Sequence, residues 1–212
     1  MSLRFGCFGF GLTTLVALSL TSGCSNAPSR VSAPSISAGT ASAAAITKYD
    51  KNADGGLDDT ELKAVPGILR AKARFDKNGD GKVTADEIAT RIGEWQGSKI
   101  GLTQYSLMFT LDGQPLNGAT VKFVPEDWLG AAVQAGTGTT DATGRVNLAI
   151  APGDLQPNEA GLNGMRLGVY KIEITHPMMQ IPPKFNTATE IGVEIAHDDP
   201  NIGRDSMPLT SR

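Results

Sequence analysis

The sequence DKNADGGLDDTE, residues 50–61, is repeated as DKNGDGKVTADE at residues 76–87, and this pair of segments decides how the chain is interpreted. Both segments read D-x-N-x-D-G over their first six positions, and both end in glutamate at the twelfth. Oxygen-bearing side chains therefore stand at positions 1, 3, 5, 9 and 12 of each copy. One such string fits an ordinary polar turn, but two full matches in tandem indicate a repeated binding loop.

The spacing of these oxygens suits a calcium ion, which takes six to eight oxygen ligands. Alternate residues of a tightly curled segment point toward one centre, and glycine at position 6 turns the backbone with positive φ. Position 7 offers its backbone carbonyl, and the glutamate at position 12 closes the shell with both oxygens. We therefore predict two bound Ca²⁺ ions. The predicted ligands are Asp50, Asn52, Asp54, Gly56, Asp58 and Glu61 in the first loop, and Asp76, Asn78, Asp80, Lys82, Thr84 and Glu87 in the second.

This pattern resembles the EF-hand loop, and the resemblance implies a small helical EF-hand pair over residues 46–97. Position 8 is apolar in both copies, as Leu57 and Val83, so we expect the loops to join there in a short antiparallel bridge. Methionine is missing between positions 46 and 96, which favours a structural site over a sensor that opens a methionine-rich groove. Short helices are expected near 41–49, 59–65, 67–75 and 85–95.

The N-terminal segment has the layout of an export signal. Residues 1–23 carry one charge, Arg4, followed by an uncharged apolar stretch that is short for a membrane span. Small residues directly before Cys24 resemble a bacterial lipoprotein signal, which implies lipidation of Cys24 and a lipid anchor in the membrane. An ordinary cleaved signal and an uncleaved anchor are the alternatives. Residues 24–45 are rich in Ser, Ala and Pro, so we expect them to form a disordered tether.

From about residue 100 the pattern changes to short alternating stretches separated by turn residues, which indicates strands. The segments LDGQPLNGATV (111–121), TTDATGR (139–145) and GVYKI (168–172) resemble carboxypeptidase regulatory-like, or transthyretin-like, domains. The resemblance implies an all-β Greek-key sandwich over residues 100–196, usually without catalysis. Strands are expected at 104–111, 119–124, 134–140, 145–150, 169–175 and 190–195.

The predicted fold class is therefore a two-domain α + β chain, in which the helical pair precedes the β-sandwich and residues 197–212 form a C-terminal tail. Lys and Arg total 19 against 22 Asp and Glu, so the weakly acidic chain is a poor candidate for binding nucleic acid. The two Cys and two His are too few for a Cys- or His-based metal site. Nucleophile elbows and phosphate-binding glycine loops are absent, so we expect no enzymatic activity.

The function that these features favour is calcium binding by an exported, lipid-anchored cell-envelope protein with a structural or interaction role. The protein would lie on the periplasmic side or at the cell surface, with an envelope protein or polysaccharide as a further partner. One alternative is a carbohydrate- or protein-binding module, for example in adhesion, with its ligand site on the β-sandwich. Another is a dockerin-like docking module, because dockerins also use tandem calcium loops.

Overall fold

The computed structural model describes Ser2 and residues 31–212. Apart from Ser2, the predicted export signal over residues 1–23 lies outside the described residues, as does Cys24. No helix that the structure describes is long and apolar enough to span a bilayer.

The helices are α1 (Ala38–Tyr49), α2 (Pro66–Arg70), α3 (Lys72–Phe75) and α4 (Ala85–Gly97). The strands are β1 (Gly56–Leu57), β2 (Val83–Thr84), β3 (Tyr105–Leu111), β4 (Gln114–Pro115), β5 (Thr120–Pro125), β6 (Gly136–Thr139), β7 (Arg145–Ile150), β8 (Gly168–Thr175), β9 (Gly192–Ile195) and β10 (Ser206–Leu209).

Helical segments flank both loops, as the repeat predicts. The first loop follows α1, and the second lies between α3 and α4. The segment after the first loop is a 3-10 turn, Glu61–Ala64, rather than an α-helix. Pro66 explains this difference, because a proline disfavours helical backbone in the residue before it, and Val65 lies at φ −128° and ψ 66°.

Helix α1 begins inside the stretch for which we expected a disordered tether. Residues 38–45 are helical, and Ala41 and Ala45 are buried. Ile36 is also buried, and its carbonyl accepts a hydrogen bond from Gln96 Nε2 at 2.9 Å. The tether prediction is therefore wrong for residues 38–45. The Ser/Ala/Pro-rich composition predicted disorder, but alanine is the strongest helix former, and its small side chain lets α1 lie close against α4.

The second half of the chain forms one large curled sheet in which every strand expected from the alternating pattern is present. The strand order is β10-β3-β7-β6-β5-β8-β9, and β4 pairs with β3 as a hairpin. All of these pairs are antiparallel except β10 with β3. Alternation decides the register: Val121 and Phe123 of β5 are buried, whereas Lys122 between them is exposed. The fold class is thus α + β.

The C-terminal residues 197–212 contribute the edge strand β10 instead of a free tail. Met207 and Leu209 are 4% and 1% exposed, and they pack into the core beside β3. The tail prediction is therefore wrong for these residues. A four-residue strand with a proline at its third position gives too short an alternation to be recognised in the sequence.

The helical segment and the sheet share one hydrophobic core. Helix α2, which links the two loops, crosses β8 and β9 at Gly67. A Cβ atom at Gly67 would lie 2.6 Å from Val169 Cγ1 and 2.8 Å from the carbonyl oxygen of Val193, so only glycine permits this approach. The loops are therefore carried on helices that rest directly on the sheet.

Candidate calcium site

The first loop curls around the side chains of its first and third positions. Asp50 directly follows α1, and its Oδ2 accepts a hydrogen bond from the Gly55 amide at 2.9 Å. Asn52 Oδ1 accepts one from the Asp54 amide at 2.9 Å. The backbone turns with positive φ at position 4, Ala53 (59°), and at position 6, Gly55 (90°). The glycine required at position 6 is thus explained by its left-handed backbone.

Glu61, at position 12, reaches back across this loop. Its Oε1 accepts hydrogen bonds from the amides of Lys51 at 2.7 Å and Asn52 at 3.2 Å. Its Oε2 accepts one from the Asp58 amide at 3.0 Å. Only 9% of Glu61 is exposed, so its carboxylate lies inside the curl, where it binds backbone amides of the loop.

The second loop repeats this arrangement position by position. Asp76 Oδ2 accepts a hydrogen bond from the Gly81 amide at 3.0 Å, and Gly81 has a φ of 88°. Glu87 Oε1 accepts one from the Lys77 amide at 3.1 Å. Glu87 Oε2 accepts one from the Thr84 amide at 2.9 Å, and the Thr84 hydroxyl caps α4 in return. The repeat seen in the sequence is therefore a repeat of conformation.

Strands β1 and β2 hold the two loops side by side, which confirms the predicted bridge. Leu57 lies opposite Val83, and Gly56 lies opposite Thr84, in an antiparallel pair. Leu57 and Val83 are both fully buried. This bridge joins position 8 of each loop, so the two loops lie side by side.

Two lysines balance part of the negative charge of the loops. Lys82 Nζ lies 2.6 Å from Asp54 Oδ2 in the other loop, and this hydrogen bond lowers the pKa of Asp54 and raises the pKa of Lys82. Lys72 Nζ lies 2.6 Å from Asp59 Oδ1 and also donates to the carbonyl oxygen of Gly81. The pKa of Asp80 is lowered chiefly by the hydrogen bond from the Lys82 amide. The lowered pKa values favour the ionised form of Asp54 and Asp80, as a cation site requires.

The donor atoms of each loop are oxygens, the ligands that calcium prefers. Asp50 Oδ1 is buried and has no hydrogen-bond partner, which suits a carboxylate oxygen directed at a cation. Within the described part of the chain, no three His, Cys, Asp or Glu side chains converge closely enough to form a metal cluster as placed. The hydrogen bonds explain this, because Asp54 is turned toward Lys82 and both glutamates bind loop amides. The side chains at positions 1, 3, 5, 9 and 12 and the carbonyls of Gly56 and Lys82 would hold the ion.

Two buried carboxylates bind the helices that carry the loops, and sequence reasoning missed both: Glu126, directly after β5, and Glu194, in β9. Glu126 Oε2 accepts a hydrogen bond from the Tyr49 hydroxyl at 2.7 Å, and Tyr49 directly precedes the first loop. Burial raises the pKa of Glu126 and that of Tyr49. Glu194 accepts hydrogen bonds from donors on both sides of the second loop. Its place among buried neighbours in β9 was the available signal, since a charge there requires partners.

Comparison with known proteins supports the interpretation of the second loop as an EF-hand loop. A family model described as EF hand matches residues 73–90, which include the whole of that loop. No curated protein and no solved structure matches the chain. Residues 73–90 therefore carry an EF-hand sequence, and the first loop joins them by its repeat of the same pattern and geometry.

Proposed function

We propose that this protein binds two calcium ions, one in each loop, and that the ions have a structural and not a catalytic role. The observation that carries the proposal is the matching conformation of two oxygen-lined loops joined by β1 and β2. The ligand positions of the first loop hold four carboxylates, Asp50, Asp54, Asp58 and Glu61. Like charges about 4 Å apart repel strongly in a protein surface environment, and a divalent cation removes that repulsion.

A structural role is favoured over a sensor role because the apolar side chains around the loops are already buried in a core shared with the sheet. Leu57, Phe75 and Trp95 are fully buried between the loops and the sheet. A sensor exposes such side chains when calcium binds, which here would break the contact of α2 with β8 and β9. Calcium is therefore expected to tighten an already closed arrangement.

Isothermal titration calorimetry of the full chain tests this proposal. We expect two bound Ca²⁺ per chain, one in each of the variants Glu61→Gln and Glu87→Gln, and none in the double variant, because position 12 closes the shell. Glu190→Gln changes an exposed glutamate outside the loops and is the matched control. Unchanged stoichiometry in the double variant, or no binding up to millimolar Ca²⁺, would contradict the proposal.

The cell-envelope location and the lipid anchor are further parts of the proposal. They are supported by the export-signal layout of residues 1–23 and by the small residues before Cys24. Labelling of expressing bacteria with a clickable fatty acid should mark the full chain. Cys24→Ala should remove the label, whereas Cys7→Ala, which changes the other cysteine, should keep it. A label that remains in Cys24→Ala would contradict lipidation at Cys24.

A second candidate function is suggested by a cavity of about 750 Å³ on the curled sheet. Uncharged polar side chains line it, among them Gln104, Ser106, Asn147 and Asn163. Such a lining suits a neutral hydroxyl-rich ligand, so we propose carbohydrate binding here, in keeping with the resemblance to transthyretin-like interaction domains. Glycan-array binding that persists in chelator and is lost in Asn147→Ala would support this candidate; an array without any signal would rule against it.

A further inference from the structure

Glu194 is a fully buried carboxylate that receives three hydrogen bonds from the helices around the second loop. Its Oε2 accepts from Arg74 Nε at 2.5 Å. Its Oε1 accepts from Arg91 Nε at 2.5 Å and from Trp95 Nε1 at 2.8 Å. A buried charge is tolerated only with such compensation, so the strand β9 and these helices are held in one fixed relation.

The donors come from both sides of the second loop. Arg74 lies on α3, two residues before Asp76, and Arg91 lies on α4, four residues after Glu87. One carboxylate therefore links the helix that leads into the loop with the helix that leaves it. The rings of Phe75 and Trp95 meet edge to face with centroids 6.2 Å apart, which closes the same pair of helices from the apolar side.

The surrounding charges reinforce this link. Arg91 also donates to Asp198 Oδ1 at 2.7 Å and to Glu94 Oε2 at 2.6 Å. Arg74 Nη1 lies 3.3 Å from Asp199 Oδ1. By contrast, the buried hydrogen bond between Tyr49 and Glu126 and the exposed ion pair of Lys48 with Asp127 both hold only the helix that leads into the first loop.

We infer that Glu194 is a positioning residue for the second calcium loop. Its hydrogen-bond partners Arg74 and Arg91 lie on either side of the loop, and through them it sets the separation of Asp76 and Glu87 at the two ends. The inference rests on the proposed calcium function and extends it, because it makes the sheet part of the metal site. The affinity of the second loop thus depends on a residue more than one hundred positions away in the chain.

The test measures Ca²⁺ affinity by calorimetry in two parent proteins: Glu61→Gln, which retains the second site, and Glu87→Gln, which retains the first. Adding Glu194→Gln should weaken binding about tenfold or more in the first parent, as changes behind metal ligands commonly do. In the second parent it should change the affinity less than about twofold, since the donors that bind Glu194 lie on the helices of the second loop. Equal weakening in both parents, or none in either, would overturn the inference.

Arg74→Gln provides a second variant in case Glu194→Gln folds poorly, because Arg74 is partly exposed and Glu194 keeps its other donors. It should show the same site selectivity to a smaller degree. Arg70→Gln is the control, since Arg70 pairs with Asp205 and does not contact Glu194. Hydrogen exchange in chelator gives a readout without calcium: Arg74→Gln should speed exchange in α3 and α4 but not in α1. An equal change of exchange in α1, α3 and α4 would overturn the inference. Parent proteins that bind no Ca²⁺ would refute only the proposed function.

Discussion

The two loops begin with the same pattern, yet they are supported differently. The first loop runs into a 3-10 turn of 4 residues, and the second runs into α4, a helix of 13 residues with a capping box. The helix that leads into the first loop is held by the buried hydrogen bond of Tyr49 with Glu126 and by the exposed ion pair of Lys48 with Asp127. On the second loop, Glu194 of β9 binds two arginines and a tryptophan from the helices on both sides. The difference teaches that two loops with the same sequence pattern can be supported differently, because the segments on either side decide how firmly the loop oxygens are held.

The largest expected effect lies at the residue directly before each loop. Phe75→Ala removes a fully buried ring that packs on Trp95, and it should lower the free energy of unfolding by about 3–5 kcal/mol. Urea denaturation of the calcium-loaded protein measures this loss. A loss below about 1 kcal/mol would mean that the helices around the second loop are not closed by this contact.

Tyr49→Phe at the matching position should cost less, because only a hydroxyl is removed. Glu126 Oε2 would lose its donor while still buried, so we expect a loss of about 1–3 kcal/mol together with weaker binding in the first loop. Tyr170→Phe is the control, since its buried hydroxyl donates to the Arg166 carbonyl away from both loops. If both variants weaken the two calcium sites equally, the bond to Glu126 has no specific role at the first loop.

Lowering the pH should change the contributions of Asp198 and Glu126 to the stability of the fold in opposite directions. The hydrogen bond from Arg91 lowers the pKa of Asp198 to about 2, so its stabilising contribution is present above the ordinary value of 3.8 and is lost as the pH falls toward 2. Burial raises the pKa of Glu126, so its ionisation destabilises the fold as the pH rises above the ordinary value of 4.5.

Melting curves in chelator across this pH range check both signs. Asp198→Asn should lower the stability of the fold near pH 7, and this loss should become small as the pH falls toward 2. Glu126→Gln should gain stability relative to the parent protein as the pH rises from acid to neutral, since the amide does not ionise. A pH-independent difference from the parent for either variant would show that its carboxylate does not titrate as described.

The smallest expected effect concerns position 4 of each loop, where the backbone is left-handed in both copies. Ala53 has a φ of 59° and Gly79 a φ of 74°. Ala53→Gly should relieve strain and stabilise the first loop, and Gly79→Ala should destabilise the second, each by about 1 kcal/mol. No atom approaches a Cβ at Gly79 within 4 Å, so backbone strain alone is tested. Thermal melting in chelator that shifts both variants in the same direction would contradict this reading.

The parts of the fold that follow from local rules could be predicted from the sequence. Oxygen spacing located both loops, apolar position 8 gave the pairing of Leu57 with Val83, and alternation located the strands β3, β5 and β7. These features depend on residues that are near one another in the chain.

The features that sequence reasoning missed depend on distant partners. In the sequence Glu194 resembles an ordinary strand residue, because its partners on α3 and α4 lie 99 to 120 positions earlier. The alanine-rich sequence of α1 resembles a tether, and its helix is buried only because it packs against α4. Strand β10 likewise forms only by pairing with the edge of β3. A single sequence does not show which surfaces meet, so the supports of the loops emerged only from the structure.

Native mass spectrometry of the full chain in millimolar Ca²⁺ tests most directly whether the paired loops are calcium sites. We expect two retained ions in the unmodified chain, one in Glu61→Gln and one in Glu87→Gln. A chain that retains no calcium, or that keeps both ions after these changes, would contradict calcium binding by these loops.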